Sequence, residues 1–336
     1  MDDSSFENDE EKIDEALIKG SEMYPIDKSS NKPVKSICKI EIEKNNKKEF
    51  GTGFLLKIPR KNKDIFYCLM TNEHVIDQSM IDGSEFITIF FDNQKQNRKI
   101  KLDKKSRFIQ SYRYMEIDAT VVEIIKDDKI SKDSFLSFNF ELNFEYKNNP
   151  EKLIGKKIYI LQFPYGEDLK YSEGDINEIN IYINQLSHSS STEYGSSGSP
   201  IFLCHNNELI GIHKQKSRNG KKNFGNFIFP VVLSIRNNYQ YNEKNYKDGI
   251  YEGDYNNDVR EGYGHFFYNN GDVYFGQWLN NKRHYKGILY YYKYKTKNKT
   301  KYKIKYIGDF INDEYDGIGQ FFLKMALNMK EIGKKD

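Results

Sequence analysis

A chain of 336 residues is long enough for one large domain or two ordinary ones, and its hydrophobic share of 38%, much of it Tyr and Phe, suffices to build a core. The net charge of +3, from 52 basic against 49 acidic side chains, is too even to single out a nucleic acid as partner. No run approaches the roughly 18–20 apolar residues of a membrane-spanning helix.

In chain order, Met1–Glu15 is acidic and lacks the basic start and apolar stretch of a secretory signal. Residues 1–30 are expected to be a disordered acidic tail. From 31 to 235 short β-type runs rich in Ile, Val, Phe and Tyr follow one another between turn residues. They are Ser36–Ile42, Gly53–Ile58, Ile65–Met70, Phe86–Phe91, Ala119–Ile125, Lys157–Gln162, Ile179–Asn184, Leu209–His213 and Phe227–Val232. Their spacing predicts an all-β sandwich or barrel, with at most a short helix near its end. Cys38, Cys68 and Cys204 lie in apolar, strand-like contexts without C-x-x-C spacing. That pattern predicts buried thiols in a reducing compartment, the cytoplasm or nucleus, rather than disulfides or a zinc site.

Residues 236–249 are polar and patternless and read as a linker. Beyond them, over 250–325, the texture becomes repetitive: Tyr251-Glu-Gly-Asp-Tyr255 with Glu261-Gly-Tyr-Gly264, Tyr274-Phe-Gly-Gln-Trp278 with Tyr285-Lys-Gly287, and Tyr306-Ile-Gly-Asp-Phe310 with Asp316-Gly-Ile-Gly319. A lysine-rich insertion around Tyr294–Lys305 delays the third copy, and residues 326–336 form a tail. Such self-similarity predicts a short solenoid of β-hairpins. The units resemble MORN repeats. Copy two, with Ile288-Leu289 after Gly287, reads as lacking the second glycine of its G-x-G. Alternating rings are first a packing device for thin hairpins. As an interaction surface they suit a protein partner or, through Lys293–Lys305, an anionic membrane.

Candidate chemistry centres on Gly195-Ser-Ser-Gly-Ser-Pro200. Flanking glycines let a turn present a serine Oγ and aim amide N–H groups at a developing oxyanion. A serine nucleophile needs a base and a group that orients the base. His74, in Thr71-Asn-Glu-His-Val75 after an apolar strand, and Asp118, opening the β-type run Asp118-Ala-Thr120, supply both upstream. His, Asp, Ser is one of three known orders for such a triad.

With these motifs, together with Gly51-Thr-Gly-Phe54, Gln162-Phe-Pro-Tyr-Gly166 and Leu209-Ile-Gly-Ile-His213, the segment 31–235 resembles a trypsin-like serine peptidase. The resemblance implies a two-barrel chymotrypsin-like fold followed by the repeat solenoid. It implies Ser197 as nucleophile, His74 as general base, Asp118 as its orienting partner, and the N–H groups of Gly195 and Ser197 as oxyanion hole. It also implies a protein or peptide substrate, and neither a metal nor an organic cofactor. Thr192 and His213 fall where the glutamyl endopeptidase branch binds an acidic P1 side chain, and both residue types donate to a carboxylate. Lys214 and Lys216 depart from the family, whose residues there are small or aromatic. Ser196 replaces the Asp that many digestive members use to bind a new N-terminus. His188 and His205 are assigned no function. The alternative is an inactive peptidase-like scaffold acting through its repeats.

Overall fold

The computed structural model describes residues 17–18, 21–26, 32–44, 47–91, 96–112, 117–216, 220–295 and 300–322. The first strands are β1 (Met23–Pro25), β2 (Ile37–Lys44), β3 (Lys47–Pro59), β4 (Ile65–Thr71), β5 (Phe86–Phe91), β6 (Gln96–Lys101), β7 (Ile109–Ser111), β8 (Thr120–Glu123) and β9 (Leu136–Ser137), with helix α1 (Gln78–Asp82) after β4. Strands β2 to β8 form an open half-barrel in the order β6-β5-β2-β3-β4-β8-β7, and β9 runs parallel to β3.

Helix α2 (Phe140–Asn148) leads to β10 (Lys157–Gln162), β11 (Lys170–Asn180), β12 (Gln185–His188), β13 (Pro200–Leu203), β14 (Leu209–Lys216) and β15 (Asn223–Phe227). This second sheet closes on itself, because β11 pairs with β10 on one side and β12 on the other. Strand β1 adds to it by pairing with β11.

The two-residue period of a strand sends alternate side chains to opposite faces, and here each face finds its own core. Leu55 and Leu69 fill the half-barrel with Cys38 and Ile40, while their neighbours Phe54, Leu56, Cys68 and Met70 point to the seam between the two barrels. The closed barrel repeats the device. Ile158, Ile160 and Ile201 fill its interior, and Tyr159, Leu161 and Phe202 join the seam. Cys38 and Cys68 are buried free thiols, whereas Cys204 is half-exposed.

Helix α3 (Phe229–Asn237) joins the barrels to a seven-stranded antiparallel meander, β16 (Gln240–Tyr246), β17 (Gly249–Asn256), β18 (Val259–Tyr268), β19 (Val273–Leu279), β20 (Lys282–Lys295), β21 (Thr300–Ile311) and β22 (Glu314–Phe321). One face of this sheet packs on the seam core through Tyr263, Phe275 and Ile288, against Phe229, Val232 and Ile235 of α3. The other face carries its own aromatic core of Tyr251, Tyr255, Phe266, Tyr274, Trp278, Tyr306 and Phe310. Each repeat follows one rule. The hydroxyls of Tyr251, Tyr274 and Tyr306 each donate to the carbonyl three residues ahead, at 3.0 Å in all three copies. Each ring lies over a cross-strand glycine pair: Gly253–Gly264, Gly276–Gly287 and Gly308–Gly319. A Cβ on Gly264 would come within 2.5 Å of the Tyr251 ring, so only glycine fits.

Several sequence expectations are corrected. The pairing of Gly276 with Gly287 shows that copy two lacks the first glycine of its G-x-G, not the second. Tyr285 stands there in left-handed backbone (φ 56°), where copies one and three have Gly262 and Gly317. Residues 236–249 are not a linker but the end of α3 and strand β16, a strand whose polar residues gave no alternation to read. Within the expected tail, Met23–Pro25 is a strand on β11; residues 1–16 and 323–336 lie outside the described residues. The run Phe227–Val232 contains the start of α3, because Pro230 fits a first helical turn and Val231, Val232 and Ile235 share its buried face. Ile179–Asn184 is strand only to Asn180. The side chain of Asn180 then accepts the amide of Tyr182, and Asn184 turns the chain at φ 51°. Helix α2 escaped notice because its most buried side chain is polar: Asn143 donates to the carbonyl of Leu209 at 3.2 Å.

Candidate active site

His74 lies in the turn between β4 and α1. The carbonyl of Asn72 accepts the amides of Val75 and Ile76, and Asp77 caps α1 by accepting the amide of Met80 at 2.9 Å. Asp118 lies just before β8 with φ 47°, a backbone conformation that Asp tolerates better than most residues and that recurs at functional sites. Its carboxylate is gripped twice by one residue. Oδ2 lies 2.7 Å from His74 Nδ1, and Oδ1 accepts the His74 amide at 3.1 Å. Asn72 Nδ2 donates to the Asp118 carbonyl at 2.8 Å. Burial pushes the Asp118 carboxyl upward, but His74 overrides that, with Lys214 adding to it, and holds it at about 2. His74 Nε2 is buried and has no hydrogen-bond partner among the described residues.

The Gly195–Pro200 loop comes from the closed barrel, between β12 and β13. Thr52 of β3 ties it to the half-barrel: its Oγ1 donates to the Gly195 carbonyl at 2.8 Å and its amide donates to the Ser197 carbonyl at 2.9 Å. Gly198 makes the closest approach. At φ 88°, a Cβ there would sit 2.1 Å from the Thr52 carbonyl oxygen and 2.3 Å from Thr71 Oγ1. The loop is thereby pressed against Thr71 and Asn72, which lead directly to His74. Within it, the amides of Ser196 and Gly198 donate to the carbonyls of Glu193 and His213. Ser197 Oγ donates to the Lys214 carbonyl at 3.5 Å, not to His74.

Thr192 and His213 are both fully buried beside this loop, and the His213 amide donates to the Ser199 carbonyl at 2.8 Å. Behind them stands a group the sequence did not flag. His188 Nε2 lies 3.2 Å from His213 Nδ1, and both rings are fully buried. No local pattern marks His188, since its partner is 25 residues away. His205 sits in the exposed turn between β13 and β14.

Residues 51–212 match the family of the trypsin-like peptidase domain, and residues 251–273, 274–296 and 306–323 each match the MORN repeat. The chain joins a trypsin-like peptidase domain to MORN repeats. The half-barrel and the closed barrel are accordingly a chymotrypsin-like double barrel. No curated protein matches the sequence. Similar solved structures include a Glu endopeptidase with bound MPD, at 16% identity and TM-score 0.46, over 65% of this chain and 98% of that one. The active form of a protease from M. tuberculosis is 18% identical, with TM-score 0.41, over 65% and 87% of the two chains. The catalytically active tobacco etch virus protease with its product is 13% identical, with TM-score 0.41, over 62% and 82%. Among the described residues no helix of the peptidase domain or of the MORN sheet is long and apolar enough to cross a membrane.

Proposed function

We propose that the peptidase domain is a serine endopeptidase in which Ser197, His74 and Asp118 act as a triad. The observation that carries this is the 2.7 Å contact between His74 Nδ1 and Asp118 Oδ2, beside a nucleophile loop anchored by Thr52. Asp118 holds the imidazole with Nδ1 protonated, which leaves Nε2 as the base. Ser197 Oγ attacks the scissile carbonyl, Nε2 takes its proton and returns it to the leaving amine, and water then hydrolyses the acyl-enzyme. The N–H groups of Gly195 and Ser197 receive the oxyanion.

Thr192 and His213 support a preference for glutamate at P1, because a buried hydroxyl and imidazole can each donate to a carboxylate. The MORN sheet would locate the enzyme on a partner protein or an anionic membrane. One observation favours a second reading, an inactive scaffold: Ser197 Oγ bonds the Lys214 carbonyl instead of His74. That bond is long, and catalytic contacts often tighten only with substrate bound.

A peptide library separates the readings. The account expects cleavage after Glu, at least about tenfold faster than after Gln or Leu, and none by Ser197→Ala. Cleavage after aliphatic or basic residues, unchanged in His213→Ala, would sink the acidic preference. Absence of any Ser197-dependent cleavage favours the scaffold.

A further inference from the structure

Strand β14 keeps β15 as a neighbour through Lys216, but its pairing with β13 ends at Ile212. No described strand pairs with the other edge of Lys214–Lys216. That edge begins at the nucleophile, because the Lys214 carbonyl accepts Ser197 Oγ at 3.5 Å. Every pairing in this sheet is antiparallel. A peptide that adds to the edge in the same sense runs from Lys216 toward His213. The residues before the scissile bond then lie along β14, with P1 beside His213 and P3 beside Lys216. Successive side chains of an extended peptide point to opposite faces. With P1 directed into the pocket of Thr192 and His213, P2 faces the half-barrel wall that carries His74 and Asp118.

Lys214 belongs to that wall. The register of β14 on β15 passes from His213 opposite Gly225 to Gln215 opposite Phe224, which leaves Lys214 in a β-bulge. Bulges beside active sites re-aim a side chain. Here the ammonium comes close enough to Asp118 to help His74 hold that carboxyl low. It forms no ion pair with Asp118, whose carboxylate is taken by His74, nor with any other carboxylate among the described residues. Glu193, in the nearby loop, accepts the Tyr165 hydroxyl instead. Lys214 is also partly buried, so its attraction for a carboxylate is screened less than on an open surface.

We propose that Lys214 is a specificity-determining residue that binds the carboxylate of a Glu or Asp at P2. The proposal rests on the peptidase reading for its substrate, and not on the acidic-P1 preference.

Peptides that differ only at P2, or only at P1′, test this on the full chain as kcat/KM for wild type, Lys214→Gln and Lys214→Glu. Wild type should favour Glu over Gln at P2 about fivefold, and less at high salt. Lys214→Gln should lose the preference, and Lys214→Glu should turn it toward Lys. Each ratio is taken within one variant, so a general loss of triad activity cancels. Binding of the same peptides, fluorescently labelled, to Ser197→Ala with and without each Lys214 change reads the preference without turnover. Equal use of Glu and Gln by wild type, a preference that persists in Lys214→Gln, or a charge effect at P1′ instead of P2 overturns the proposal. Neither binding nor cleavage of any peptide overturns it together with the peptidase reading. The expected binding pattern in a chain that cuts nothing upholds Lys214 and overturns only the peptidase reading. The expected P2 pattern with Leu as good as Glu at P1 overturns only the acidic-P1 reading.

Discussion

The MORN sheet and the peptidase site bond their buried polar groups over different lengths of chain. In the sheet, the repeat tyrosines Tyr251, Tyr274 and Tyr306 satisfy their hydroxyls three residues away, by the same bond in every copy. In the site, the bonds span long stretches of chain: 44 residues from His74 to Asp118 and 143 from Thr52 to Gly195. Two ring nitrogens, His74 Nε2 and His188 Nδ1, are left without partners among the described residues. Buried polar atoms without a partner occur in both regions, His265 Nδ1 in the sheet among them, so the two differ in the reach of their bonds: a local rule holds the sheet, and contacts between distant stretches of chain hold the site. The two regions are nonetheless one packed body, because Tyr263, Phe275 and Ile288 of the sheet share a core with α3 and both barrels.

This contrast can be broken in four places. The largest effect belongs to Asp118→Asn, which should lower kcat about 10,000-fold by releasing the wrong imidazole tautomer, with the melting temperature little changed. A loss below tenfold in steady-state peptide cleavage would remove Asp118 from the triad. Next come two glycines. Gly264→Ala should cost about 2–3 kcal/mol in denaturant unfolding, since its Cβ meets the Tyr251 ring at 2.5 Å, yet leave the activity of the folded enzyme intact. Gly198→Ala should cost stability and activity together, because its Cβ would push the nucleophile loop off Thr52 and Thr71. If both variants behaved alike, the proposed division of labour would be wrong.

The third is a pH effect at the contact between the two regions. Asp254 accepts Ser234 Oγ of α3 at 2.7 Å and the Tyr263 amide at 3.0 Å. Burial raises its carboxyl to about 7, against the pull of those two donors. A folded pKa above the unfolded value of 3.8 means that the protonated group's contribution is fully present below pH 3.8 and is lost as pH rises through about 7. Wild-type protein should therefore lose about 3 kcal/mol relative to Asp254→Asn between pH 4 and 7, read as diverging melting curves. Parallel curves would contradict the assignment. The smallest effect is Tyr285→Gly, which should stabilise by about 1 kcal/mol, because the half-exposed ring sits in left-handed backbone where the other copies use glycine. A loss of stability there would show that the Tyr285 ring contributes more than its backbone costs.

The same contrast explains what could be read from the sequence. The repeats were legible because their rule is local: Tyr, then Gly two residues on, then a paired Gly, at a fixed spacing. His74, Asp118 and Ser197 were legible as motifs in a known order, and the structure does bond His74 to Asp118. The contact of His188 with His213 was not legible, because it depends on β12 and β14 both pairing with β15, a register that no short pattern encodes. Strand β16 and helix α2 were missed for a related reason. Each is held by neighbours and carries too little alternation or apolar periodicity of its own.

The central claim is that Ser197 is a nucleophile activated by His74. Treating the full chain with a fluorophosphonate probe and mapping the adduct by mass spectrometry tests it most directly. The account predicts one adduct, on Ser197, absent in Ser197→Ala and strongly slowed in His74→Ala. A folded, monodisperse sample that takes up no probe, or an adduct on another serine that persists in Ser197→Ala, would contradict it.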